Sequence, residues 1–241
     1  MTLRRQRLQR PPLGARMYGH GHGYGDRLGS VKRDIVIFGS GGGARDVHAI
    51  VRDLADDGAG WNMCGFLDGA AERRGDTVHA LPVLGDVSWL STRGDVHVVI
   101  GVGNPRSRRA IAESLVAAGH TRFATLVHPT VWRGKDVALG AGTVLSAGCL
   151  LSTDIRVGDH ALVNLACSLT HDDVVDDYAV LAPGVRLSGN VHVGEGADLG
   201  TGCVVRQKID VGAWAIVGAG AVVIRDVPRE TRVMGVPARE K

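Results

Sequence analysis

Aromatic residues are scarce, at 4% of the chain's 241 residues. A core made with so little Phe, Tyr and Trp has to be aliphatic. No apolar run approaches the ~18 residues of a membrane-spanning helix, so no membrane partner is expected. The pair Arg4-Arg5 is not followed by the apolar stretch of an export signal, which points to a cytoplasmic protein. The four cysteines lie far apart with no CxxC spacing. Reduced thiols fit that usage better than a disulfide framework.

The formal charge of +3 raises nucleic acid as a partner, and its distribution argues against it. Residues 1–33 hold eight Lys/Arg and one acid, leaving 20 bases against 24 acids in the remainder. The basic character belongs to an aperiodic tail, and the body is slightly acidic. Within the tail, His20 and His22 are too few to make a metal site.

What the chain does have is glycine, 35 residues, about twice the usual ~7% share. One cluster follows an apolar strand candidate, Asp34–Phe38, as Gly39-Ser40-Gly41-Gly42-Gly43-Ala44. A helical pattern then sets Val47, Ile50, Val51 and Leu54 on one face. Gly65–Leu67 reads as a second strand ending at Asp68, and Val96–Gly101 as a third. Asn104-Pro105 makes a cap and first turn for a helix carrying Ile111, Leu115 and Val116, and Phe123–Val127 reads as a further strand. Strands alternating with helices imply a small parallel sheet of Rossmann-like α/β type over residues 34–126. The glycine loop fits GxGxxG/A, in which backbone approaches a diphosphate at a helix N-terminus. Asp68 ends the second strand where an acid would read a ribose or base.

From residue 127 to 241 the pattern changes. An aliphatic residue recurs every six positions from Leu139 to Val223, fifteen in all and without a slip. The residue two before each is mostly small or β-branched, and the one after is often Gly, Ser, Asn or Thr. A period of six fits a chain that turns a corner every six residues, with one aliphatic inward per side. Three sides close a coil of 18 residues, and coils stack at about 4.8 Å. Cys149, Cys167 and Cys203 then fall on one corner of different coils, as interior filling.

This stretch resembles the hexapeptide-repeat acyltransferases, and the resemblance implies a left-handed parallel β-helix. Handedness comes from the resemblance alone. Residues 34–241 are similar to one branch, the sugar O- and N-acyltransferases with an N-terminal nucleotide-sugar-binding domain. The carrying passages are the glycine loop, Gly65-Phe66-Leu67-Asp68, Gly101-Val102-Gly103-Asn104, Asn164 through Asp172, Gly218 through Val223, and Gly235-Val236-Pro237-Ala238.

The chemistry centres on His171, two residues past an inward Leu169 and so expected at an outward corner. An imidazole suits the removal of a proton from an amine or hydroxyl near neutral pH. Asp172 or Asp173 would orient the ring, and the resemblance assigns the general base to His171 and the partner acid to Asp172. It also places Asn164 at the active site, while a tight corner using the αL tolerance of Asn explains that residue equally well. Nucleotide-sugar binding falls to Gly39, Ser40, Gly41, Gly42, Asp68, Gly103 and Asn104. The resemblance lays acetyl-CoA, the acyl donor, along Gly200, Gly218 and Gly220, between two subunits of a homotrimer. Arg206 and Lys208 interrupt the repeat and would meet its phosphates. There are departures. Val180 stands where many relatives have a second histidine, Asp173 where cysteine is frequent, and Asp176 where glycine is common.

The implied activity is acetyl transfer from acetyl-CoA to a nucleotide-linked amino sugar by direct attack, with no metal. Three alternatives remain: transfer to a hydroxyl of a free sugar or polysaccharide, a zinc hydratase on the same β-helix, and a non-catalytic nucleotide-binding scaffold. The hydratase requires histidines that converge, and His160, His171 and His192 are not spaced by multiples of 18.

Overall fold

The computed structural model describes residues 32–241, and the tail ahead of them, with His20 and His22, lies outside the described residues. The chain begins with strand β1 (Arg33–Phe38), helix α1 (Gly42–Asp56) and strand β2 (Trp61–Leu67). Strands β3 (Thr77–Val78), β4 (Leu81–Gly85) and β5 (His97–Ile100) follow, then helix α2 (Pro105–Ala117). The sheet order is β3-β4-β2-β1-β5. Its centre is the expected parallel sheet, and β3 adds an antiparallel edge against β4. The turn between them places His79 and Ala80 at φ 47° and 63°. Two residues of positive φ suit a tight hairpin, but His-Ala lacks the Asn-Gly signature that would announce one.

Helix α1 buries Ala44, Val47, Ile50 and Val51, with Leu54 only partly covered. Asn104 caps α2 as anticipated, its Oδ1 accepting from the Ser107 amide at 3.0 Å. The buried face of α2 differs from the expected one. Val116 is 54% exposed, and Arg108 is fully buried beside Ala112 and Leu115. The Arg108 guanidinium donates to the carbonyls of Ile100 (2.9 Å), Val102 (2.8 Å) and His160 (2.9 Å). Those bonds tie α2 both to its own sheet and to the second half of the chain. Burial lowers the Arg108 pKa to about 10.

The strand expected at Phe123–Val127 is divided. Phe123 bridges to Val98 of β5, whereas Leu126–Val127 pairs with Val144–Leu145 of the first coils. The reason is packing: Leu126, Val144, Leu162 and Val180 face outward from one side of the coils and join α1 in a single apolar cluster.

Beyond this point the chain winds as a left-handed parallel β-helix with three sheet faces. The first face runs from Leu126–Val127 to Ile216–Val217 and closes with Arg232–Met234 and Arg239–Glu240. The second runs from Trp132–Arg133 to Val222–Val223, and the third from Val137–Leu139 to Asp210–Val211. Every inward position from Leu145 to Val223 is at most 3% exposed. The period slips after Val223, where Val227 and Val233 fill the interior instead of Arg229. Cys149, Cys167 and Cys203 are buried free thiols in interior slots.

Every sixth residue from Asp136 to Gly220 has a positive φ, three places before each inward aliphatic. These are the corners, and nine of the fifteen are not glycine. The corner column Gly142, His160, Tyr178, Gly196 and Trp214 shows how side chains share the limited height of a coil. His160 and Tyr178 stack with ring centroids 5.5 Å apart, and Phe123 meets His160 edge-on at 4.5 Å. A Cβ on Gly196 would collide with the Trp214 ring.

Burial, reinforced by the nearby Arg108 charge, lowers the His160 pKa to about 4. The unfolded chain binds that proton near the ordinary histidine value of 6.5. The stability held by neutral His160 is therefore complete above pH 6.5 and is lost as pH falls toward 4. The shift corresponds to about 3 kcal/mol. Denaturant unfolding of wild type and His160→Phe at pH 7 and pH 4.5 checks this. The wild type should lose more stability on acidification than the variant, and equal losses would refute the assignment.

Candidate active site

His171 stands at the corner between the second and third faces, with 65% of its side chain exposed. Its Nδ1 lies 2.9 Å from Asp172 Oδ2. An ionised carboxylate only accepts, so this contact assigns the hydrogen to Nδ1 and leaves a lone pair on Nε2. Asp172 takes the positive-φ corner position of its coil, at 62°. One coil along, the ring faces Gly189. A Cβ there would sit 2.9 Å from Nε2, so glycine keeps that nitrogen clear.

Asp173 does not reach the ring. It is fully buried in the interior slot two places before Val175, in a column otherwise made of Ile155, Val191 and Ile209. Its oxygens accept from the amides of Thr170 (2.8 Å) and Val191 (2.9 Å). Burial pushes its carboxyl up to about 6, against the pull of the two amides and of His171.

A groove on the third face adjoins this corner, lined by Asp154, Arg156, Asp172, Asn190, His192 and Asp210. His192 has a role in sequence only as a zinc ligand of the hydratase alternative. It lies within the groove, with Nε2 2.7 Å from Asp176 Oδ2. The unusual Asp176 is thus a partner of His192. The signal was available in the register, since His192 is 18 residues after the outward Val174. His160 is enclosed between Phe123 and Tyr178, so the three histidines do not converge. Among the described residues, no three His, Cys, Asp or Glu gather as a metal site.

Arg206 and Lys208 do not interrupt the repeat. They are in register: residues 206–208 lie 36 positions after residues 170–172, on the same corner two coils along. Both are exposed, at a separation of about 10 Å from the His171 level.

Asn164 occupies the other end of the second face, at the corner shared by Gly200 and Gly218. The positive-φ residue of its corner is Ala166, so αL tolerance does not account for the asparagine. Its Oδ1 accepts from the Leu165 amide at 2.8 Å. Asn164 lines a small cavity with Gly43, Gly101, Gly103, Arg108 and Ser146. The structure brings it to the N-terminal domain, and the whole second face separates it from His171. At Gly200 and Gly218 stacking alone demands glycine. A Cβ would come within 2.6 Å of the Ala219 amide and 2.8 Å of Met234 Cβ, respectively. Gly220 is a positive-φ corner at 66° that opens to solvent. Val180 is buried against the α1 cluster and offers only an apolar contact.

In the glycine loop, Ser40 is buried and its hydroxyl donates in a short bond to the Asp68 carboxylate. The other Asp68 oxygen accepts from the Ala70 amide at 3.0 Å. Residues from the ends of β1 and β2 therefore meet at one point. Gly39 turns the chain at φ 110°, and Gly43 allows α1 to pass close to the Gly101 carbonyl. Gly41 caps α1 with no side-chain bond and no acid in the first turn. Its surroundings are open, which suits the approach of an anion. Gly103 contributes backbone to the small cavity, and Asn104 is committed to capping α2.

Comparison with known proteins agrees with the fold. Residues 34–115 match the PglD N-terminal domain family. The fold is similar to perosamine N-acetyltransferase from Caulobacter crescentus, solved with CoA and GDP-perosamine as a histidine-to-asparagine variant. That similarity has a TM-score of 0.78 and 31% identity over 86% of this chain and 96% of the other. The acetyltransferase domain of PglB from Neisseria gonorrhoeae, in complex with acetyl coenzyme A, matches at TM-score 0.79 and 30% identity over 87% and 100% of the two chains. WeeI from Acinetobacter baumannii matches at 0.78 and 28% identity over 86% and 99%. No curated protein matches the chain in sequence.

Proposed function

The chain belongs to the hexapeptide-repeat sugar acetyltransferases, and we propose that it transfers an acetyl group from acetyl-CoA to the amine of a nucleotide-linked sugar. One observation carries the reading: an exposed imidazole paired with Asp172 at a coil corner, its Nε2 kept clear by Gly189. The Caulobacter relative, named for N-acetylation and solved with GDP-perosamine, supports an amine acceptor on a nucleotide-linked sugar.

In this mechanism Nε2 of His171 takes a proton from the sugar amine as the nitrogen attacks the thioester carbonyl. Asp172 holds the ring through Nδ1–H and stabilises the imidazolium that forms. The tetrahedral intermediate collapses with loss of the CoA thiolate, which takes up the proton. Arg206 and Lys208, on the same corner, have the charge and position to meet phosphates of the donor. Gly41, Gly42, Ser40 and Asp68 hold the nucleotide, with Gly39 shaping the turn and Gly103 and Asn104 supporting the second loop.

The active protein is a homotrimer in this reading, acting in the cytoplasm. Asn164 and His171 end opposite edges of the second face, and that face leaves Trp132 57% and Leu150 49% exposed. A neighbouring copy would cover these side chains and join the two ends. Sedimentation at three times the chain mass is expected, and a monomer active at all dilutions would remove this part.

His171→Ala should lower kcat by about 10²–10⁴-fold while nucleotide-sugar binding still raises the melting temperature. Full activity in that variant would end the assignment of the base. Asp68→Ala should abolish the thermal protection given by the nucleotide sugar, and unchanged protection would move the nucleotide site elsewhere.

A further inference from the structure

The backbone ladder of the β-helix is regular along the second face, with one exception. Ser152 donates its amide to Leu169, Ser188 to Val205 and Arg206 to Val223, each across to the next coil. At the equivalent place one coil from each neighbour, the Thr170 amide turns away from Leu187 and donates to Asp173 Oδ2. The Leu187 carbonyl is taken by the Thr170 hydroxyl at 3.2 Å. The strand pairing records the same opening. Ser168–Leu169 and Arg186–Leu187 pair only at Ser168 and Arg186, whereas the pairs on either side match at both residues.

The residue that accepts the diverted amide occupies a place where a charge is costly. Asp173 is 0% exposed, between Ile155 and Val191 of the adjoining coils. Its second oxygen holds the Val191 amide, two residues beyond Gly189. A carboxylate can accept at both oxygens, whereas an amide side chain offers one oxygen and a cysteine a weak sulfur acceptor. The groups thus joined, Thr170 on one coil and Val191 on the next, flank the gap in which the imidazole faces Gly189.

We propose that Asp173 is a positioning residue for the acetyl transfer described above: it opens the ladder beside His171 and sets the gap between the His171 corner and Gly189. The inference rests on His171 being the base. Burial pushes the Asp173 carboxyl up to about 6, as expected for an acid kept in an apolar column, with His171 and Asp172 as the nearby charges. Stability alone gives no reason to keep such a group where the other coils carry Ile155, Val191 and Ile209. The closed ladder on either side is the arrangement that the fold adopts without it.

Asp173→Asn and Asp173→Cys test this, with acetyl transfer, nucleotide-sugar thermal protection and the His171 imidazole NMR resonances as readouts. Both variants should lower kcat by about 10–100-fold, with KM for the nucleotide sugar within twofold of wild type. The His171 resonances should move, and thermal protection should persist. A shift in melting temperature alone, with kcat and those resonances unchanged, would make Asp173 structural filling and overturn the proposal. Thr170→Val keeps the carboxylate and removes only the hydroxyl that holds Leu187. It guards against folding failure of the first pair and should show a smaller fall in kcat. Full activity there, with both Asp173 variants unfolded, also overturns the proposal. If the wild type acetylates no nucleotide-linked amino sugar, the functional reading fails. The His171 resonances of Asp173→Asn then still decide whether the carboxylate positions the ring.

Discussion

The interior of the β-helix admits two side chains per six residues, a large aliphatic and a second, often smaller one two places before it, and the coil closes every 18. That constraint places the rest of the molecule. Residues 18 apart are stacked neighbours, so each corner is a column whose height per residue is about 4.8 Å. A ring fits only when the residue below or above it is flat or absent. His160 and Tyr178 meet the limit by stacking, and Gly142 and Gly196 by having no side chain. Gly189 does the same for His171. Main-chain bonds between coils satisfy the backbone, which leaves the outward and corner side chains available for chemistry.

Against so apolar an interior, the exceptions carry information. Arg108 and His160 are buried where the two domains meet, joined through the His160 carbonyl. Asp173 is buried beneath the His171 corner. The two titratable groups act on stability in opposite senses. Neutral His160 loses its contribution as pH falls from 6.5 toward 4. Asp173 has a raised folded value, so its contribution is complete below its ordinary 3.8 and is lost as pH rises through about 6. Over the same acidic range one term falls while the other grows. Each corresponds to about 3 kcal/mol, so acidification tests the domain junction more directly than it tests the molecule's total stability.

The β-helix was legible in the sequence because its rule is local and repeated. Leu145 through Val223 are buried as the six-residue period requires. Single features without a repeat were less legible. The β3–β4 hairpin uses His79-Ala80, which carries no turn signature. Arg108 reads as a surface cation until the carbonyls of Ile100, Val102 and His160 are seen to surround it. At Asn164 the αL alternative fails because the αL position falls two residues later, at Ala166. For the candidate site, the His171–Asp172 contact was legible and the burial of Asp173 was not. Adjacency in sequence makes either acid a possible partner of the ring, while alternation of side-chain direction sends Asp173 into the core. Arg206 and Lys208 were noticed for their charge but not for their register, although 36 residues, two full coils, separate them from Thr170 and Asp172.

The division of the site follows from the same geometry. One side of a coil, not a full turn, runs from Asn164 to His171, so these residues emerge at opposite edges of one face and point away from a common centre. The Asn164 edge is committed to the N-terminal domain, where it shares a cavity with Gly43, Gly101 and Gly103. The His171 edge is committed to the third-face groove and to Arg206 and Lys208. No rotation of side chains closes a gap spanned by a rigid face. If one reaction uses both edges, the surface between them has to lie against another copy, and its exposed Trp132 and Leu150 are the apolar side chains that such a contact would bury. Assembly would then be a condition of the proposed chemistry, because the glycine loop and His171 belong to edges that one subunit cannot bring together.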